Sequence, residues 1–391
     1  MVTTVPETMW GFLLPFAEHF RARGFRVDAM ARGISDSPEC VRGFDRVWDV
    51  DWSRNPFSPR NFLGCPERVH EVVASGGYDL VHVHTPVAAF VTRFALRALR
   101  AAGRTRVIYT AHGFHFYRGG PRLKGVAFRS LEKLAGAWTD YLVVINREDE
   151  ATALRYRLVP PGRVRFMPGI GVDTELFSPQ AISEKAVACV RGELGLTPKD
   201  RLFVMVAEFN PGKRHQDALH AFARLRRPEA VLAFAGIGPR ADDMRNLAAD
   251  LGVAERVHFL GFRRDIPALI RSAACLLLPS EREGLPRSVL EALSLAVPAI
   301  GARIRGVTDL LDSGCGLLHP VGDVQRLAEA MAWILDHSEE AVAMGERGRR
   351  FISHYDVRHI IRLHEDLYEE ALRPQRPLGE RLSSPLAEAP A

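Results

Sequence analysis

The stretch "CLLLPSEREGLPRSVLEALSLA", residues 275–296, decides how the rest of the chain is read. It opens with a continuously apolar run and bends at Gly284, Leu285 and Pro286. It ends in a helical pattern with apolar positions 289, 290, 293 and 296. An apolar run of that length bounded by turn residues reads as a strand buried on both faces. Strand, loop and helix make the unit of a parallel α/β sheet, whose ligands bind beyond the carboxyl ends of the strands. Glu283 and Glu291 sit in this unit. A glutamate on a buried helix needs a partner.

The unit recurs outward in both directions. Apolar runs at 78–84, 106–110, 141–145 and 164–167 are followed, after a break, by 202–207, 231–236, 257–260, 275–279 and 298–301. Helical patterns such as 215–225 and 241–253 lie between them. The predicted fold is α/β, with two doubly wound, Rossmann-like domains facing across a cleft. The boundary falls near 174–182, where "FSPQAIS" reads as a linker. The domains are then 1–175 and 180–350, followed by a C-terminal helix at 355–372. The Pro-rich tail 373–391 lacks aromatics and reads as disordered. Only "MVTTV" precedes Pro6, so the first strand is expected to be short, or the start assigned a few residues late.

Bulk properties exclude several classes. The chain has 391 residues, too many for one ordinary core. Its five cysteines show no C-x-x-C pair and no metal spacing, which suggests reduced thiols in a cytosol. No apolar run reaches the roughly 20 residues of a membrane span, and the first residues lack the basic region of a signal peptide. A cytoplasmic protein is expected, with no nucleic-acid partner. Residues 1–175 hold 24 Lys+Arg against 18 Asp+Glu, and the remainder holds 28 against 29. A basic first half fits an anionic membrane surface or acceptor, and equally fits plain solubility.

Several residues carry candidate chemistry. Gly284 permits close backbone approach, and the unpaired N–H groups of the helix start after it suit a phosphate. A carboxylate beside a phosphate would repel it, so Glu283 and Glu291 should face hydroxyls. Phosphate plus vicinal hydroxyls describes a sugar nucleotide. Local pattern alone also admits a helix-start charge and a solvated helical residue. Lys213 follows a strand and precedes a helix, a place for a point charge on a diphosphate or for an exposed turn lysine. "FAGIGPR" lacks the third glycine of a dinucleotide fingerprint, so Gly236 and Gly238 read as turn residues near the cleft. His112, in "YTAHGFHFYRGG", ends a strand where it could donate to a hydroxyl or a developing oxyanion. Behind it, Arg122, Lys124 and Arg129 alternate with apolar residues, as on a membrane-surface helix or an ordinary packed one. "DVD", holding Asp49 and Asp51, is the sole carboxylate pair of metal-binding form, and no metal is expected there.

Together these residues resemble the retaining glycosyltransferases of family four, with the two-domain GT-B fold. The resemblance runs over most of 1–350 and centres on the E-x-x-x-x-x-x-x-E signature, Glu283 to Glu291. "YDLVHVHTP", which contains His84, "YTAHGFHFYRG", "GIGVDTELF", "RIRGVTDLL" and "GLLHPVGD" resemble the branch that makes capsular and exopolysaccharides. The resemblance implies that Glu291 binds the ribose hydroxyls and Glu283 the donor sugar. Lys213 would hold the diphosphate, with backbone N–H groups from Leu285 through Arg287 to Ser288. His112 would lie beside the anomeric carbon. Phe262 and Arg263 would meet the base, and a loop from Glu7 to Gly11 would close over the phosphates. His84, Arg122, Lys124 and Arg129 would lie on the acceptor or membrane side. The chain departs from the family pattern at Glu208, where an arginine is usual. It also lacks the glycine pair of the first loop and the asparagine of the linker motif.

The implied activity is metal-independent sugar transfer from a nucleotide-sugar, a UDP-sugar in most of the branch. No cofactor is implied. The acceptor would be lipid-linked, at the inner face of the cell membrane. Competing readings are a nucleotide-sugar epimerase or phosphorylase, a soluble small-molecule transferase, and a non-catalytic binding protein.

Overall fold

The computed structural model describes residues 1–373 apart from 54, 57 and 118. The expected disordered tail, from 374 onward, lies outside the described residues. The first series of strands is β1 (Ala29–Ala31), β2 (Val47–Asp49), β3 (Leu80–Val83), β4 (Arg106–Ala111), β5 (Tyr141–Val144) and β6 (Val164–Phe166). The second is β7 (Arg201–Val206), β8 (Ala230–Ala235), β9 (Val257–Phe259), β10 (Cys275–Leu278), β11 (Ala299–Ala302) and β12 (Gly316–His319). Every strand pairing is parallel. All nine apolar runs singled out in the sequence form strands. β1, β2 and β12 are additional.

The opening strand is reduced to one bridging residue. Val2 lies between β1 and β3, its N–H donating to the His82 carbonyl at 2.8 Å and its carbonyl accepting from His84 at 3.0 Å. The first sheet thus runs β2-β1-Val2-β3-β4-β5-β6. The second runs β12-β11-β10-β7-β8-β9. Its order reverses between β7 and β10, the position at which open α/β sheets bind ligands beyond the carboxyl ends of their strands.

Helices cover both faces of the second sheet. His215–Leu225 buries Ala218, Leu219, Ala221, Phe222 and Leu225, the stripe expected of a 3.6-residue period. Arg287–Ser294 buries Val289, Leu290 and Leu293 on the other face. Full burial of each large apolar side chain contributes about 1.5–3 kcal/mol.

One segment differs from expectation in what it builds. The loop expected at Glu7 to Gly11 is helical, with Pro6–Thr8 leading into a π-turn at Met9–Leu13 and then Leu14–Ala22. Pro15 explains the irregularity. It has no N–H for the Gly11 carbonyl four residues back, so the regular ladder breaks at that point. The helix Val357–Leu372 packs back on the first sheet rather than on the domain it follows. Its Tyr368 ring stacks on Phe20 at 4.7 Å, and its Tyr368 hydroxyl meets His82 Nδ1 at 2.6 Å. Among the described residues, no helix is long and apolar enough to cross a membrane.

Candidate active site

The site at the strand reversal is built by the segments that leave β7 and β10. Asn210 caps the short turn Pro211–Lys213 by accepting from the Lys213 N–H. The Lys213 ammonium then reaches Glu283, Nζ to Oε1 at 2.7 Å, with both side chains largely buried. Neighbouring strands thus join two residues 70 positions apart. The helix Arg287–Ser294 begins behind Pro286 with no side chain capping it. Its first N–H groups and Lys213 together suit a diphosphate.

Glu291 lies one turn into that helix and is only 7% exposed. Burial pushes its carboxyl up to about 7, while Arg287 pulls the other way with Nε 2.8 Å from Oε1. Arg287 also donates through Nη1 to the Gly11 carbonyl at 2.7 Å and covers the Phe12 ring. That carbonyl is the one Pro15 leaves unpaired. The first helical segment is therefore tied to the helix Arg287–Ser294 of the second domain.

On the opposite wall, His84 ends β3 and His112 follows β4. The two strands are neighbours, and the imidazoles meet, His84 Nδ1 to His112 Nε2 at 3.2 Å. Behind them His82 packs against the His84 ring at 4.1 Å and is bonded at both nitrogens, to Tyr368 and Thr110. Burial holds this row neutral. It pushes His112 and His364 down to about 4, and His82 and His84 well below the usual range. His84 Nε2 is buried with no hydrogen-bond partner among the described residues.

The two walls meet at backbone contact. A Cβ on Gly284 would lie 2.1 Å from the His112 carbonyl oxygen, and one on Gly306 would lie 1.9 Å from the Gly284 oxygen. Only glycine permits this approach. Around it sits a polar group that sequence reading did not single out. Arg305, from the segment after β11, donates to Asp149 Oδ1 at 2.7 Å, to the Phe114 carbonyl at 2.5 Å and to the Glu283 carbonyl at 3.1 Å. Asp149 also accepts from the Phe114 N–H and from Asn146, and Asn146 donates to the Gly284 carbonyl. Burial pushes the Asp149 carboxyl up, and Arg305 is the largest opposing influence. A sequence signal existed. Asn146 and Asp149 stand three apart at a helix start beyond β5, a capping pattern on the cleft side of the sheet.

Arg263 is held by Asp265 and Glu193, so its guanidinium is already engaged, whereas Phe262 is 62% exposed. Gly236 packs onto the Ala207 carbonyl, so its lack of a side chain serves the contact between β7 and β8. Glu208 is exposed and accepts from Asn210. Arg214, the cation after Lys213, is bound by Asp217 through two hydrogen bonds. Leu285 packs against Gly169, and Ser288 lies in the first turn of the helix Arg287–Ser294. Asp49 accepts from Ser35, and Asp51 pairs with Arg32 and Arg60. Among the described residues no three His, Cys, Asp or Glu side chains group as a metal site.

Known proteins share this organisation. The model for Glycosyltransferase Family 4 matches residues 12–176, and that for Glycosyl transferases group 1 matches residues 190–351. EpsD of Bacillus subtilis (strain 168), whose name says no more than glycosyltransferase, is 33% identical over 368 residues. The match spans 93% of this chain and 94% of that protein. The UDP-Gal:alpha-D-GlcNAc-diphosphoundecaprenol alpha-1,3-galactosyltransferase of Escherichia coli is 27% identical, over 68% of this chain and 69% of its own. Among solved structures, Anabaena Alr3699/HepE in complex with UDP superposes with a TM-score of 0.75 at 18% identity. That match covers 94% of this chain and 98% of the other. The architecture is the GT-B fold, and the expected Rossmann-like pair is present. With its Glu283–Glu291 signature at the strand reversal and EpsD similar along nearly its whole length, the chain belongs to the family 4 glycosyltransferases.

Proposed function

We propose that the chain transfers a sugar, with retention and without a metal, from a UDP-sugar to a hydroxyl of a lipid-linked acceptor. The observation that carries this reading is the placement of Lys213, Glu283 and an uncapped helix start at the strand reversal, opposite His112. Lys213 and the helix N–H groups would hold the diphosphate and stabilise it as it leaves. Glu283 would bind donor-sugar hydroxyls, Glu291 the ribose hydroxyls, and Phe262 the base. The bond from the anomeric carbon to the diphosphate oxygen breaks. The acceptor oxygen bonds to that carbon on the same face, and its proton passes to the departing diphosphate. His112, neutral, orients groups at the anomeric carbon rather than supplying charge. The structural neighbour HepE is described with UDP, and the Escherichia coli relative is named for a UDP-sugar and a diphosphoundecaprenol acceptor.

The acceptor side supports the lipid. The helix Arg122–Gly136 turns an apolar stripe outward, with Leu123 89% exposed and Val126, Leu131 and Leu134 also exposed. Arg122, Lys124 and Arg129 flank that stripe, the arrangement of a helix lying in a membrane interface. A groove of about 1020 Å³ runs beside it from His115 and Tyr117 to Arg155. EpsD and the Escherichia coli relative are both named as transferases, which does not favour an epimerase or a phosphorylase, and the diphosphoundecaprenol in the second name favours the lipid over a soluble small molecule.

A thermal-shift panel of nucleotide-sugars tests the donor, since a ligand at 100 times its Kd adds about 2.7 kcal/mol of stability. Transfer to a diphosphate-lipid acceptor, with the product anomer read by NMR, tests the reaction. An inverted anomer refutes retention. Stabilisation by no UDP-sugar refutes the donor.

A further inference from the structure

Arg305 makes more connections at the meeting of the two walls than any bond needed for its own loop. Its side chain is 4% exposed and that of Asp149 is 1% exposed. One of its bonds stays within its own domain, to the Glu283 carbonyl. The others cross, to Asp149, to the Phe114 carbonyl and to the Phe116 carbonyl at 3.5 Å, and its guanidinium also lies over the Tyr117 ring. It thus grips the residue that carries the Glu283 carboxylate and the segment that carries His112. The packing is tight enough that a Cβ on Gly113 would lie 3.2 Å from Arg305 Nη2. A planar fork with five donors can hold a carboxylate and several carbonyls in one plane, which a lysine cannot.

We propose that Arg305 is a positioning residue for transfer, setting the His112 loop against the Glu283 loop so that donor and acceptor meet in one reactive register. This rests on the reading of those loops as the donor and acceptor walls. Asp149 is its anchor. It holds the guanidinium on one side and the Phe114 N–H on the other. Misplacement by an ångström costs about 100-fold in rate, while binding of the nucleotide, which lies at the strand reversal, is spared.

The experiment uses the full chain, UDP as the binding probe and a panel of UDP-hexoses with UDP release as the signal. Arg305→Lys and Arg305→Met should lower kcat about 10- to 100-fold and leave the UDP Kd within about twofold. Asp149→Asn should act in the same direction, and Arg305→Lys with Asp149→Asn should be no worse than the poorer single variant. Millimolar guanidinium should restore part of the turnover of Arg305→Ala, a rescue that general destabilisation would not give. Full kcat in Arg305→Lys and Arg305→Met, or a loss matched fold for fold in the UDP Kd, overturns the proposal while transfer by the wild type stands. A wild type that neither binds UDP nor releases it from any UDP-hexose overturns both readings. Circular dichroism checks each variant. Should Arg305→Met not fold, Arg305→Lys, Asp149→Asn and the guanidinium rescue decide.

Discussion

Glu291→Gln separates what the carboxylate does to the fold from what it does for the nucleotide. Burial raises this carboxyl from 4.5 to about 7. At 1.36 kcal/mol per pH unit, that rise corresponds to about 3 kcal/mol. Its folded value lies above its unfolded one, so the protonated side chain is the one the fold prefers. The stability it contributes is complete below about pH 4.5 and is lost as the pH rises through about 7. Glutamine is neutral throughout and keeps an oxygen for Arg287. The variant should therefore match the wild type near pH 5 and exceed it at pH 8 by up to about 3 kcal/mol. Nucleotide binding should move the other way. A carboxylate accepting from ribose hydroxyls contributes about 1.5–3 kcal/mol, so the UDP Kd should weaken about 10- to 150-fold at pH 8. Wild-type UDP affinity should rise between pH 6 and pH 8, and the variant's should stay flat. Thermal unfolding across pH without ligand and titration calorimetry with UDP measure both effects. A variant no more stable than wild type at pH 8 would refute the burial argument, and an unchanged Kd would remove Glu291 from the nucleotide site.

The buried histidines should act with the opposite sign. His112 and His364 are depressed to about 4, so the stability they carry is present above about 6.5 and lost as the pH falls through about 4. Unfolding temperature should fall from pH 6.5 toward pH 4.5, and a flat profile there would refute the neutral row. Because both trends overlap, the Glu291 effect is read as the difference between variant and wild type. Turnover should survive EDTA; complete loss, restored by Mg²⁺ or Mn²⁺, would refute a metal-free site and return attention to Asp49 and Asp51. Reversing Arg122, Lys124 and Arg129 to Glu should release the chain from anionic vesicles at low salt, each charge contributing about 1 kcal/mol, with UDP binding intact. Sedimentation with liposomes reads this, and wild type left in the supernatant at low salt would sink the membrane reading.

Much of the architecture is legible before any coordinates. The nine apolar runs become strands because a parallel strand must be apolar on both faces, and continuous apolar residues mark it within five or six positions. The helix 215–225 follows its periodicity to the residue, and the helix expected at 355–372 runs from Val357 to Leu372. Glu283, Lys213 and the start of the helix Arg287–Ser294 stand where strand-to-helix grammar puts ligands. Such signals are local. They report contacts between residues one to eight apart.

Whatever depends on partners far along the chain had to come from tertiary structure. The strand order that sets β7 beside β10 brings Lys213 to Glu283. Arg305 and Asp149 are 156 residues apart, and Arg287 and Gly11 are 276 apart. The bond from Arg263 to Glu193 spans 70 residues, so no local pattern reports it. The first segment looked like a loop, and its helix and π-turn are held by packing against the first core and by Arg287. The return of Val357–Leu372 to the first sheet is likewise invisible in its own period, which says that a stripe is buried but not against what. Spacing encodes which face of an element is apolar. The element that covers that face is chosen by the free energy of the whole assembled chain.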